Sequence, residues 1–165
     1  MKGKNIEDRP SCIDIMRRRK EKRIKTAVGI DVGCHTGIAI WDCEKRCYTD
    51  IRTMRIDEAL FLLQARIDDA RKAGELDTIV VRVEDARKRT WYGERSALKL
   101  QGAGSVKRDS TIWDEYLKST GVAYTMVAPV NNRTKMTADS FRRTTGYTGR
   151  TNEHNRDAAM LVFGM

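Results

Sequence analysis

Apolar and polar positions alternate in short runs over the first third of the chain, and then change period. Ala27-Val28-Gly29-Ile30-Asp31 reads as a buried strand, Gly33 to Gly37 as a tight turn, and Ile38-Ala39-Ile40-Trp41 as a second strand. After a polar turn around Glu44-Lys45-Arg46, Cys47 to Met54 makes a third strand, and the three form an antiparallel meander. From Asp57, read as an N-cap, the apolar residues fall at 59, 60, 62, 63, 67 and 70, which is helical spacing, and Gly74 ends that helix. Thr78 to Glu84 is β-branched and central in character. Strand, helix, strand in succession implies a crossover connection, hence a mixed sheet with helices on its faces.

A long helical stretch follows from about Arg95 to Lys118. It contains Gly102 and Gly104, which mark either a close approach by another backbone or DNA, or a break into two helices. Val122 to Val127 is the last strand, stopped by Pro129. The segment from Asn131 to Arg150 is polar and basic with a short helix near Ala138 to Arg143, and a terminal helix runs from Thr151 or Asn152 to Phe163. Residues 1–25 are too charged to pack and read as a basic, flexible arm, leaving 26–165 as one domain.

Charge sharpens this picture. The chain carries 32 Lys and Arg against 23 Asp and Glu, a net +9, which suits a polyanionic partner. The charge is uneven: +6 over residues 1–25, −4 over 26–85, +8 over 86–156 and −1 over the remainder. The apolar runs, such as Ala158 to Phe163, are far shorter than the ~20 residues a bilayer requires. The first ten residues lack the apolar core of a secretory signal, and Cys12, Cys34, Cys43 and Cys47 have no zinc-finger spacing. A reducing, cytoplasmic setting is expected.

Three carboxylates sit where stability alone would not put them. Asp31 and Glu84 each end an apolar strand, and Asp157 precedes the apolar run of the terminal helix. If those strands end side by side beneath that helix, the three meet, and at ~5 Å each pair repels by roughly 3 kcal/mol at an effective dielectric of ~20. A cation must then sit among them. All-oxygen carboxylate sites suit hard divalent ions, Mg²⁺ first with Mn²⁺ as substitute, and two such ions about 4 Å apart support phosphodiester hydrolysis. His154, three residues before Asp157 and on the same helix face, is a candidate metal ligand or a group that positions the attacking water. If the strand continues past Glu84, Asp85 points to the opposite face, and it is excluded on that ground. Around this acidic set the basic half supplies Arg87, Lys88, Arg89, Lys107, Arg108, Arg133, Lys135, Arg142 and Arg143 as phosphate-binding candidates.

The segments Gly29-Ile30-Asp31-Val32-Gly33-Cys34-His35-Thr36-Gly37, Val83-Glu84, Ser96 to Gly104 and Glu153-His154-Asn155-Arg156-Asp157-Ala158-Ala159 together resemble the RuvC family of Holliday junction resolvases, of the ribonuclease H-like superfamily. Phrases such as Gly102 to Asp109 are closest in tone to compact phage-encoded members. The resemblance implies a five-stranded mixed sheet flanked by helices, a homodimer, and Mg²⁺-dependent paired nicking of four-way DNA junctions. It matches Asp31, Glu84 and Asp157 to the acidic metal ligands, His154 to a fourth ligand position, and Lys135 to a catalytic-site lysine. The family's base-stacking aromatic has no counterpart at Arg87, but Trp91 and Tyr92 lie further along the same loop; packing beneath the loop is their other reading. The expected activity is therefore a structure-selective endodeoxyribonuclease. The alternatives are a nuclease of the same fold acting on RNA–DNA hybrid, flap or damaged DNA, and a non-catalytic DNA-binding protein. An actin-like ATPase, which also opens on Gly-x-Asp-x-Gly, needs a second domain for which 165 residues leave no room.

Overall fold

The computed structural model describes residues 23–88 and 97–165, with side chains for 23–88 and 104–165. Five strands form one sheet: β1 (Thr26–Asp31), β2 (Thr36–Asp42), β3 (Cys47–Met54), β4 (Ile79–Glu84) and β5 (Ala123–Val127). Their order is β3-β2-β1-β4-β5. The meander β1-β2-β3 is antiparallel, while β4 joins β1 and β5 joins β4 in parallel. The helices are α1 (Ile56–Lys72), α2 (Ala97–Thr120), α3 (Ala138–Thr145) and α4 (Glu153–Met160). This is the mixed α/β sheet that the apolar patterning predicts.

Alternation along the central strands divides the core into two layers. Val28, Ile30, Val81 and Val83 face one way, onto Ala59, Leu63 and Ile67 of α1 and Trp113 and Leu117 of α2. Their neighbours Ala27 and Val80 face the other way, onto Leu161 and Val162 just beyond α4. On that second face Ala39 and Ile51 meet Phe141 of α3 and Ala158 and Ala159 of α4. Asp31 keeps the parity of Ala27, and Glu84 that of Val80, so both carboxylates belong to the face that α4 covers.

Two glycines allow α4 to lie on the strands themselves. A Cβ on Gly29 would stand 2.0 Å from the carbonyl oxygen of Ala158, and one on Gly37 would stand 2.1 Å from that of His154. No side chain fits between these backbones. The helix is also tied at its ends. Thr53 Oγ1 donates to Asn152 Oδ1 at 2.9 Å, and Tyr48 Oη donates to the Ala159 carbonyl at 2.9 Å.

Several element boundaries differ from the sequence expectation. The N-cap of α1 is Arg55 rather than Asp57, because Glu58 returns its side chain to accept from the Arg55 amide at 3.0 Å and fixes the start two residues earlier. The stretch through Gly102 and Gly104 is one uninterrupted helix, and a Cβ on Gly104 would meet nothing within 4 Å, so no close approach within the described chain explains it. α4 stops at Met160 rather than Phe163. There the amides of Leu161 and Val162 bond to carbonyls three residues back, at 3.2 and 3.1 Å, and the coil tightens into a turn. Most of the basic arm, residues 1–22, lies outside the described residues.

Candidate metal and nucleic-acid site

The site begins with strand register. β1 pairs with β4 through Ile30 opposite Val83, so one further step sets Asp31 beside Glu84 at the carboxyl ends of both strands. The chain then turns through Val32–His35, held by Thr36 Oγ1 donating to the Gly33 carbonyl at 2.8 Å. α4 crosses above, with Asn152 and Asn155 forming a reciprocal capping box that fixes its first turn. His154 and Asp157, one turn apart, face the strand ends.

The side chains interlock. His154 Nδ1 is hydrogen bonded to Asp31 Oδ2 at 3.1 Å. Asn132 Nδ2 donates to Glu84 Oε2 at 2.9 Å and to the Asp157 carbonyl at 3.1 Å. The Lys135 amide donates to Asp157 Oδ1 at 2.8 Å. Lys135 adopts left-handed backbone, φ 58°, which aims its N–H at that carboxylate while its side chain remains exposed.

Burial and like charge show in the titration of the group. Burial pushes the Asp31 carboxyl up to about 7, the charges of Glu84 and then Asp157 push the same way, and the bond and charge of His154 oppose them. Burial also raises Asp157, with Glu153 adding to it and the Lys135 amide pulling down. The three predicted carboxylates therefore share one electrostatic environment. Asp31 and Glu84 are nearly enclosed, with 13% of the Asp31 side chain and 6% of Glu84 exposed.

The donor set fits a hard divalent cation in its chemistry: carboxylate oxygens in mutual repulsion, plus a buried amide oxygen, Asn132 Oδ1, without a hydrogen-bond partner. Among the described residues, however, no group of three or more His, Cys, Asp or Glu side chains stands arranged to hold an ion. Asn132, the Lys135 amide and His154 each hold one oxygen of these carboxylates: Glu84 Oε2, Asp157 Oδ1 and Asp31 Oδ2 respectively.

The basic candidates separate by location. Arg133 and Lys135 are exposed in the segment that frames the carboxylates, and Arg142 and Arg143 are exposed on α3. Lys107 and Arg108 are exposed on α2, the helix packed against the opposite face of the sheet. Arg87 is held by protein: its Nε and Nη2 bond the two oxygens of Asp85 at 2.8 and 3.0 Å, and Nη1 reaches Asp114 at 3.1 Å. Lys88 Nζ donates to the Met126 carbonyl at 2.6 Å. Asp85, only 1% exposed, is on the face opposite Glu84 as alternation requires; burial works to raise it, but Arg87 outweighs this and holds it below the usual carboxylate range. Arg89, Trp91 and Tyr92 lie outside the described residues.

Two residues were not singled out from the sequence. Asn132 follows Pro129 in a polar loop, and nothing local distinguishes it from Asn131. His35 is exposed in the β1–β2 turn with its ring centroid 6.3 Å from that of His154, a pairing across 119 positions that spacing does not reveal.

No protein-family model matches the chain, and no curated protein matches it in sequence. Among solved structures it is similar to RuvC from T. thermophilus in complex with Holliday junction substrate, with a TM-score of 0.50 and 15% identity over 84% of this chain and 90% of that one. At this identity the likeness is one of architecture: the five-stranded mixed sheet with its flanking helices is a RuvC-like, ribonuclease H-like fold.

Proposed function

We propose that this protein is a divalent-metal-dependent endonuclease that cuts branched DNA, four-way junctions foremost. The observation that carries the reading is the meeting of Asp31, Glu84 and Asp157 at the strand ends under α4, with burial and mutual repulsion raising Asp31 to about 7. Folding accepts that repulsion, which a cation relieves.

Asp31, Glu84 and Asp157 would hold Mg²⁺, with two ions the expected number and Mn²⁺ a substitute, and His154 adds a fourth ligand or orients water. Such ions would supply charge stabilisation at the phosphodiester and would lower the pKa of the attacking water so that it can act as hydroxide. The chain's own residues do the rest. His154 fixes the rotamer of Asp31, and the Lys135 amide fixes that of Asp157. Arg133 and the Lys135 side chain, exposed beside the cluster, bind phosphates and offset its negative field. Trp91 and Tyr92 are the base-stacking candidates, and a homodimer would place two such sites for paired nicks. A cytoplasmic protein, phage-encoded in type, is the setting this implies.

The neighbouring RuvC structure contains Holliday junction substrate, which favours branched DNA over hybrid or linear duplex as the ligand here. A second reading, a DNA-binding protein that does not cut, is favoured by one observation: no three candidate donors among the described residues stand arranged around an ion. One assay separates them. Cleavage is compared across four-way junction, flap, linear duplex and RNA–DNA hybrid at matched salt in Mg²⁺, with Glu84→Gln as control. Junction nicking that Glu84→Gln abolishes supports the nuclease; tight binding without nicking in either Mg²⁺ or Mn²⁺ supports the second reading.

A further inference from the structure

Asn132 joins the two elements whose meeting makes the site. Its Nδ2 donates to Glu84 Oε2 at 2.9 Å and to the backbone carbonyl of Asp157 at 3.1 Å, spanning from the end of β4 to α4. The Asp157 carbonyl can only accept, so the orientation of the amide is forced. The nitrogen must face it, and Oδ1 is left on the other branch. That Oδ1 is buried and has no hydrogen-bond partner. A buried acceptor without a donor is unfavourable.

We propose that Asn132 is the positioning residue of the metal site, fixing Glu84 through Nδ2 and offering Oδ1 as a neutral oxygen to a hard divalent cation, directly or through one water of its hydration shell. The inference rests on the nuclease reading for the identity of the ion. Asn amide oxygens are ordinary ligands of such cations. A neutral oxygen also suits a cluster that already holds three carboxyl groups, because it adds coordination without adding charge. Asn132 shares its loop with Lys135, whose amide holds Asp157, so one segment after β5 grips two of the three carboxylates.

The test titrates the full chain with Mn²⁺ alone by calorimetry, without DNA, for wild type, Asn132→Ala and Asn132→Asp. It adds thermal melting in EDTA and junction nicking resolved into kcat and KM. Asn132→Ala should weaken Mn²⁺ binding at least tenfold and lower kcat at least tenfold with the junction KM unchanged. Asn132→Asp returns an oxygen but loses the donor to Glu84, so it should melt lower than wild type in EDTA and gain more than wild type from saturating Mn²⁺. Unaltered Mn²⁺ affinity in Asn132→Ala overturns the inference. Should that variant not fold, an Asn132→Asp protein whose melting gains no more from Mn²⁺ than wild type overturns it instead. Wild-type protein that binds Mn²⁺ but nicks no branched DNA overturns the nuclease reading and leaves the affinity comparison to decide on Asn132; wild-type protein that binds no Mn²⁺ overturns both.

Discussion

Gly37 on β2 and His154 on α4 are in backbone contact, so close that a Cβ at position 37 would stand 2.1 Å from the His154 carbonyl oxygen and 3.0 Å from the Asn155 nitrogen. The atoms in the way are backbone, which cannot swing aside as a side chain could. Gly37→Ala must therefore lift the first turn of α4 from the sheet, at a cost of about 1–3 kcal/mol by the usual penalty for overpacking. Because His154 and Asp157 ride on that helix, nicking should fall further than the stability loss accounts for. Urea denaturation and junction cleavage at a temperature where the variant remains folded measure the two effects. Gly104→Ala is the contrast: it places a methyl in open space within a helix and should stabilise by up to about 1 kcal/mol.

Asp31 makes the metal-free fold sensitive to pH in a direction opposite to that of an ordinary salt-bridged aspartate. Its carboxyl moves from 3.8 to about 7 on folding, so the folded state binds the proton more tightly than the unfolded chain does. Stability from this group is fully present below pH 4 and is lost as pH rises toward 7. In EDTA, Asp31→Asn should flatten this fall and leave the protein more stable than wild type at pH 8, by up to roughly 4 kcal/mol on the scale of 1.36 kcal/mol per pKa unit. The same variant should have no nicking activity. Denaturant midpoints across pH 4.5–8, with and without Asp31→Asn, check the sign; a wild-type protein that gains stability across that range contradicts the placement of Asp31.

Arg87 braces the chain immediately after the Glu84 strand. It grips the buried Asp85 with two nitrogens and reaches Asp114 on α2 with a third, a fork that lysine cannot reproduce. Arg87→Lys should therefore destabilise by about 1–3 kcal/mol, within the range for weakening a largely buried charge pair. Junction affinity should hardly change. A large drop in affinity at fixed salt with unaltered stability would instead make Arg87 a phosphate-binding group.

Arg133 is the complementary case, exposed and next to Asn132 in the segment over the carboxylates. Arg133→Ala should weaken binding to junctions of different sequence by similar factors. It should also reduce the slope of log affinity against log salt by about 1, as expected when one fewer phosphate is neutralised by the protein. Melting temperature should be unchanged. Binding titrations at three salt concentrations suffice.

Much of this protein is legible in its order of residues, because the relevant interactions are local. Short continuous apolar runs bounded by turn residues in Ala27 to Asp31 and Ile38 to Trp41, and helical spacing after Ile56, mark the elements. The acidic ends of β1 and β4 stand out against their apolar strands, and Asp85 is excluded by alternation alone. Boundaries such as Arg55 for Asp57 or Met160 for Phe163 depend on single capping and turn bonds that propensity does not resolve. The tertiary structure decided what holds the carboxylates. Asn132 meets Glu84 across 48 positions, and the Lys135 amide meets Asp157 across 22, through hydrogen bonds that no period or spacing encodes. It also decided the role of Arg87, which carries the same charge as Arg133 in the sequence but is turned inward because Asp85 and Asp114 converge on it only after β4 and α2 pack. Sequence determined which groups the chain has to offer and which faces they share; folding determined which of them meet, since long-range register and helix seating are set by the whole core rather than by any one segment.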